Sequence, residues 1–388
     1  MNAKKILFVV PNLDAGGVTS ALSSAVKVLQ DYGSQVSVLN MSSKATGRIT
    51  VQAEMLSLDG IAKYWDLGIE NIIREKSFFR KIGLILLGAI KKLTNRKKTW
   101  LKIVWRKKCI FQNFDVAIAF KQCTPCFLFV LNHVKATKKV AFIHGEVEYM
   151  GDISAWEMLM PFYDKVAYVS NAVKDGFVSQ YPELARNAQV VYNLIDEKEI
   201  RKKALDGKKV IDESDTHFRI LTVSRIQNYL KQTDWIPMIC KRLKDLTEKP
   251  FCWYIIGDGP DYETVVKKIE ELGVSDCIKL LMHMENPYPY FLNSDLFVLT
   301  SKTESFGIVV AEALTLSVPV IVSDYPAAKE IIDNGKNGII VPKSIDKFAE
   351  QIALILNDND MYQKLKNNCD SYHYPEHTAK QQLFEVVS

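Results

Sequence analysis

Short runs of β-branched, aromatic and aliphatic residues recur along the chain, each separated from the next by a stretch long enough for a helix. One series is Ile6–Val10, Gln35–Leu39, Asp115–Ala119, Val140–Ile143 and Val166–Val169. A second is Phe218–Val223, Trp253–Ile256, Ile278–Leu281, Leu296–Leu299, Val318–Val322 and Ile339–Val341. Strands that alternate with helices pair in parallel, because each helical crossover carries the chain back before the next strand begins. The pattern therefore predicts two α/β domains, which 388 residues accommodate at roughly 150 residues each. Between the two series, Asp196–Thr216 is charged and poor in large apolar side chains, the composition expected of a domain boundary.

Several classes are excluded early. The apolar stretch after Lys4-Lys5 ends at Pro11 and is too short for a secretory signal core. The apolar run Ile82–Ile90 lies between Lys81 and Lys91, far short of the ~20 residues a spanning helix needs. Seven cysteines are too few for a disulfide scaffold and suit a reducing compartment, so the cytoplasm is expected. Cys123-Thr-Pro-Cys126 lacks the second pair of a structural zinc site, and Pro125 fits the first turn of a helix. Asp358-Asn-Asp360 reads as turn and N-cap chemistry, so no metal is expected. Neither a dinucleotide fingerprint nor a P-loop occurs, which disfavours nicotinamide oxidoreductases and P-loop kinases.

In open parallel sheets ligands bind beyond the carboxyl ends of the strands, so residues just after each strand are the candidates. After the first strand, Gly16-Gly17 opens a helix and permits close backbone approach to a ligand, or serves only as a tight turn. His144 follows Val140–Ile143 and is either a hydrogen-bonding or acid–base group, or a structural histidine. Arg225 and Lys231 follow Phe218–Val223, cations suited to a diphosphate or simply solvated. Gly257 begins a turn, Gly257-Asp-Gly-Pro260, tight enough to leave room for a ligand. After Leu299, Glu304 falls in a loop and Glu312 about a turn into a helix. The N–H groups of Ser305, Phe306, Gly307 and Ile308 between them favour phosphate oxygens, and a carboxylate matches the paired hydroxyls of a sugar or ribose.

Taken in order, "AGGV" (15–18), "IHGE" (143–146), "YVSNAVKDGF" (168–177), "VYNLID" (191–196), "VSR" with Lys231 and Asp234, "IIGDGP" (255–260), "NPYPYFLNSDLFVLTS" (286–301) and "ESFGIVVAEAL" (304–314) resemble the retaining nucleotide-sugar glycosyltransferases of family 4. The resemblance implies the GT-B fold, two facing Rossmann-like α/β domains with parallel sheets and a cleft between them. It places an acceptor domain at 1–200, a donor domain at 201–372, and a terminal helix in 373–388 that packs back on the first. Arg225 and Lys231 would bind the donor diphosphate, Glu312 the ribose, and Glu304 with the following loop the sugar. Gly16 and Gly17 would line the cleft, and His144 would touch the transferred sugar. The implied chemistry is same-face attack by an acceptor hydroxyl, with the leaving phosphate taking its proton and no cofactor beyond the UDP- or GDP-type donor. Thr19 stands where the family usually has Glu, and Gln232 where it usually has Gly. An epimerase or phosphorylase on the same fold, or a non-catalytic sugar-binding subunit, is the alternative. The intact charged set argues against the silent subunit.

Residues 71–108 contain thirteen Lys or Arg and one acid, a local charge of +12 that leaves the rest of the chain at −7. Cations alternate there with Phe78, Phe79, Leu84, Leu86, Leu87, Trp100 and Trp105, as in a helix lying in an anionic lipid interface. A solvated basic face over a core helix is the competing reading, and a nucleic-acid patch lacks any accompanying motif. The expected partners are thus a nucleotide sugar, a glycan or polyprenyl-linked acceptor, and, through 74–108, an anionic membrane at the inner face of the plasma membrane.

Overall fold

The computed structural model describes residues 3–14, 16–42, 51–58, 62, 65–66, 77–93, 111–149, 154–206 and 216–388. Among these, one set of strands comprises β1 (Lys5–Val10), β2 (Gln35–Asn40), β3 (Glu54–Ser57), β4 (Phe111–Ala119), β5 (Val134–Ile143), β6 (Lys165–Tyr168) and β7 (Ala188–Val190). They pair in the order β3-β2-β1-β4-β5-β6-β7. The other set comprises β8 (Phe218–Val223), β9 (Phe251–Ile256), β10 (Ile278–Leu281), β11 (Leu296–Leu299), β12 (Val320–Ser323) and β13 (Gly338–Val341), in the order β10-β9-β8-β11-β12-β13. Every pairing between these strands is parallel. In each sheet the order reverses at the first strand, so that β1 lies between β2 and β4, and β8 between β9 and β11. A crevice opens beyond the carboxyl ends at such a reversal.

Central strands are apolar on both faces because helices cover both: all six residues of β9 and all four of β11 are buried. One apolar cluster runs from the first sheet across to Leu221, Phe306 and Val310 of the second half, while Trp253, Ile236 and Phe348 belong to a separate cluster within that half. The two halves therefore share a continuous apolar contact beneath the crevice.

Three features depart from the sequence reading. Strands β3 and β7 were not expected, because each is short, lies at a sheet edge and lacks a fully buried residue. Strands β4 and β5 begin earlier than expected, through polar half-strands, with a register shift between Phe111 and Phe114 beside Asn113 at φ 72°. The charged stretch from Asp196 also starts with a helix, Glu197–Leu205, in which Asp196 caps the Glu199 N–H at 3.0 Å and only Ile200 and Ala204 are buried. Its charge reflects an amphipathic surface helix packed on helices Tyr288–Leu292 and Ile308–Thr315.

The final helix, Glu376–Val387, lies against β5 and β7 of the first sheet and buries Ala379, Leu383, Val386 and Val387. Lys4 Nζ donates to the Val387 carbonyl at 2.8 Å, and the Tyr192 N–H donates to Gln382 Oε1 at 3.0 Å. Of the basic segment, the structure describes helix Phe78–Leu93 and the preceding Ser77; Trp100, Trp105 and the Phe79 side chain lie outside the described residues. In that helix Leu84 is buried, whereas Phe78, Ile82, Ile85 and Leu86 are exposed. Among the described residues, no helix is long and apolar enough to cross a membrane.

Candidate functional site

The carboxyl ends of the two sheets face one another, and the expected residues line both sides. Gly16 is the N-cap of helix Gly17–Asp31. A β-carbon on Gly17 would lie 3.5 Å from Ile308 Cδ1 of the opposing half, so Gly17 meets the first turn of helix Ile308–Thr315 across the cleft, while one on Gly16 would have no neighbour within 4 Å among the described residues. Ser170 Oγ donates to the Ser305 carbonyl at 2.7 Å, and Thr303 Oγ1 donates to Glu146 Oε1. Lys302 Nζ sits 5.4 Å from the Tyr149 ring centroid and 5.2 Å from that of Tyr229, one ring from each half.

His144 lies at the end of β5 with its ring against Phe120 and Phe142, at 4.7 and 5.7 Å between centroids. Its backbone N–H donates to Gln122 Oε1 at 3.0 Å. Burial pushes its pKa down to about 4, against a hydrogen bond with the Phe120 backbone that favours the protonated form. The ring is neutral at pH 7, and Nε2 is buried with no protein partner among the described residues. That nitrogen is equipped for a hydrogen bond to a ligand rather than for carrying positive charge.

On the other wall, Arg225 leaves the end of β8 exposed, with no ion pair among the described residues. Lys231 ends the short helix Asn228–Lys231 and reaches Glu304 Oε1 at 2.6 Å, with Ser301 Oγ on the same oxygen at 2.7 Å. Neither side chain of the pair is more than a quarter exposed. The sequence named both charges; their pairing joins loops that follow different strands and has no local signature.

The Ser305–Ile308 turn is held from below. Gly307 adopts φ 93° as N-cap of helix Ile308–Thr315, and a β-carbon there would lie 2.8 Å from Tyr325 Oη. The Phe306 side chain is buried against Tyr192 and Tyr374, which leaves the backbone of this turn to meet a ligand. Glu312 accepts from the Tyr288 hydroxyl at 2.9 Å. Burial pushes its carboxyl up to about 7, and the Tyr288 bond partly offsets that rise. Tyr288 was visible only as part of a motif, since nothing in the sequence shows which tyrosine reaches a buried carboxylate.

Gly257 packs closely on one side. A β-carbon there would lie 1.9 Å from the Ser224 carbonyl, and one on Gly259 2.2 Å from the Ile226 carbonyl. These glycines let the turn after β9 press on the segment that carries Arg225, and so act on that arginine's position. Among the described residues, no three His, Cys, Asp or Glu side chains are placed to hold a metal ion. Cys123 and Cys126, at the start of helix Thr124–His133, are not joined in a disulfide, and Asp358 caps the Met361 N–H at 2.9 Å.

Two parallel α/β sheets opposed across such a cleft, with the last helix returned to the first, define the GT-B class. Residues 206–371 match the family model of the glycosyl transferases group 1. Over 234 residues the chain is 25% identical to N-acetyl-alpha-D-glucosaminyl L-malate synthase of Bacillus anthracis, covering 59% of this chain and 61% of that protein. It is 26% identical over 210 residues to a Campylobacter jejuni N-acetylgalactosaminyltransferase named for a diacetylbacillosaminyl-diphospho-undecaprenol substrate, covering 54% and 52%. The matches thus span about half to three-fifths of these relatives. Staphylococcus aureus TarM, solved with Fondaparinux, alpha-GlcNAc-glycerol and UDP, superposes with TM-score 0.71 at 14% identity, over 99% of this chain and all of the other. Anabaena HepE, solved with UDP and glucose, gives 0.65 at 17%, over 99% and 97%. At such identities these structures establish the fold alone.

Proposed function

We propose that the protein is a retaining glycosyltransferase that moves a sugar from a nucleoside diphosphate donor, of UDP or GDP type, to a hydroxyl of a glycan or lipid-linked acceptor. The carrying observation is the cationic wall, Arg225 without an ion pair among the described residues and Lys231 held by Glu304, beside the N-terminal turn of helix Ile308–Thr315. A departing diphosphate is an oxyanion cluster, and these groups supply its countercharge from fixed positions, usually the largest contribution to such a rate. Glu304 is set to meet the sugar's hydroxyls and Glu312 those of the ribose. The neutral His144 Nε2 faces the transferred sugar. The acceptor hydroxyl attacks on the face the diphosphate leaves and gives its proton to the leaving phosphate, so no side chain has to form a covalent intermediate.

The setting we infer is assembly of a surface polysaccharide or related glycoconjugate, with residues 74–108 resting on an anionic membrane that presents the acceptor. The exposed Phe78 and Leu86 on a helix that also carries Arg80 and Lys81 support that docking. A panel of nucleotide sugars tests the donor class, since a ligand at 100 times its dissociation constant stabilises by about 2.7 kcal/mol. With the donor so found, Arg225→Ala and Lys231→Ala should each lower kcat/KM at least ~10²-fold, as loss of a charge-stabilising group does. Near wild-type turnover in both variants would withdraw the diphosphate assignment.

A further inference from the structure

Tyr325 is fully buried at the end of the loop after β12, yet its hydroxyl has no hydrogen-bond partner among the described residues. A buried phenol donor left unmade costs stability, whereas phenylalanine would fill the same space without that cost. The hydroxyl lies directly under the turn that carries Glu304 to Gly307, where a β-carbon on Gly307 would sit 2.8 Å from it. The negative charge of Glu304 is also close enough, after burial itself, to help hold the phenol in its protonated, donating form. Glu304 meanwhile takes both of its side-chain donors, Lys231 and Ser301, on Oε1.

We propose that Tyr325 is a positioning residue for Glu304: its hydroxyl is the reserve donor that holds the carboxylate in place when Lys231 turns to an oxyanion ligand. Lys231 is the strongest donor on Glu304 in the ligand-free protein and, on the reading above, also a diphosphate ligand. Each hydrogen bond the ammonium gives a diphosphate loosens its hold on the carboxylate. Without a replacement, the carboxylate is left partly buried and underbonded at the step that needs it aligned with the sugar. A small settling of the turn onto Tyr325 supplies that replacement and satisfies the orphaned hydroxyl. The proposal rests on the glycosyltransferase reading only in naming the ligand that draws Lys231 away.

A thermal-denaturation cycle tests the device without catalysis. In the wild-type background Tyr325→Phe should leave the melting temperature unchanged or raise it, since the hydroxyl is unpaired there. In a Lys231→Met background, where Glu304 has lost its ammonium, the same Tyr325→Phe change should lower it, because Tyr325 has become the carboxylate's donor. The same shift in both backgrounds would overturn the proposal. Turnover adds a second readout: Tyr325→Phe should lower kcat about tenfold with little change in donor KM, the split expected when a group that aligns the reacting sugar is loosened. An unchanged kcat would also overturn it. If no nucleoside diphosphate or nucleotide sugar shifts the wild-type melting curve, the donor reading fails, while the sign reversal between backgrounds still decides the part played by Tyr325.

Discussion

At the level of single residues, the two carboxylates of the cleft differ in surroundings more than in sequence. Glu304 is matched by an ammonium, whereas Glu312 is buried beside a phenol and titrates near 7. Because its folded pKa lies above its value of 4.5 in an open chain, Glu312 favours folding fully below about pH 4.5, and that contribution is lost as pH rises to about 7. Glu312→Gln should therefore raise the melting temperature of the ligand-free protein at pH 8 relative to wild type, with the gain vanishing towards pH 4.5. An equal shift at both pH values would contradict the burial argument. On the proposed role of Glu312 in holding a donor ribose, binding should follow the ionised form, so calorimetric affinity for the nucleoside diphosphate should fall as pH drops through about 7. Tyr288→Phe should move that midpoint upward. Gln232 is a second case, since it adopts φ 48° and ψ 40° at the end of helix Asn228–Lys231, where the family pattern usually has glycine. Left-handed backbone costs a side-chain-bearing residue roughly 1–2 kcal/mol, partly offset by glycine's greater freedom when unfolded. Gln232→Gly should stabilise by about 0.5–1 kcal/mol in urea denaturation, and a loss would mean that the side chain contributes packing greater than its strain.

At the level of elements, the strands of the second half were legible nearly to the residue. Strands β8, β10 and β11 start and stop where the sequence runs do; β11 is buried throughout, as a strand covered on both faces must be, whereas β10 is an edge strand with only Ile278 buried. In the first half the edge strands β3 and β7 and the half-exposed start of β5, Lys135–Lys139, escaped, because their composition is that of a surface. The site was legible as a set of residue types at strand ends, and illegible as a set of contacts. Lys231 with Glu304, Tyr288 with Glu312 and Thr303 with Glu146 each join segments that only the sheet order brings together. Helix Phe78–Leu93 carries the membrane proposal. Replacing Phe78, Leu86, Trp100 and Trp105 with Ser keeps every charge, and should weaken sedimentation with anionic liposomes if those side chains insert. Unchanged binding would reduce the segment to a salt-sensitive basic face.

For the molecule as a whole, one carboxylate ties the halves together. Glu330, from the second, receives the N–H groups of Asn171 and Ala172 at 2.9 and 2.8 Å, at the first turn of helix Asn171–Gln180 in the first. The Tyr192 hydroxyl and Asn171 Nδ2 add further bonds, each at 3.0 Å. A carboxylate at a helix N-terminus meets both unpaired N–H groups and the positive end of the helix dipole. Glu330→Gln keeps the shape and removes the charge. It should lower stability by about 1–3 kcal/mol and enlarge the radius of gyration in solution scattering, whereas unchanged scattering would show that the apolar contact alone sets the angle between the halves.

The return of helix Glu376–Val387 to the first sheet also orders events during synthesis. Every strand of both sheets leaves the ribosome before the residues that cover β5 and β7. At ordinary elongation, roughly ten to forty seconds separate the completion of β7 from the arrival of Leu383 and Val386. Throughout that interval the nascent first half carries a bare apolar patch, the kind of surface that draws chaperones or other nascent chains. The half of the protein made first is thus covered last by that helix.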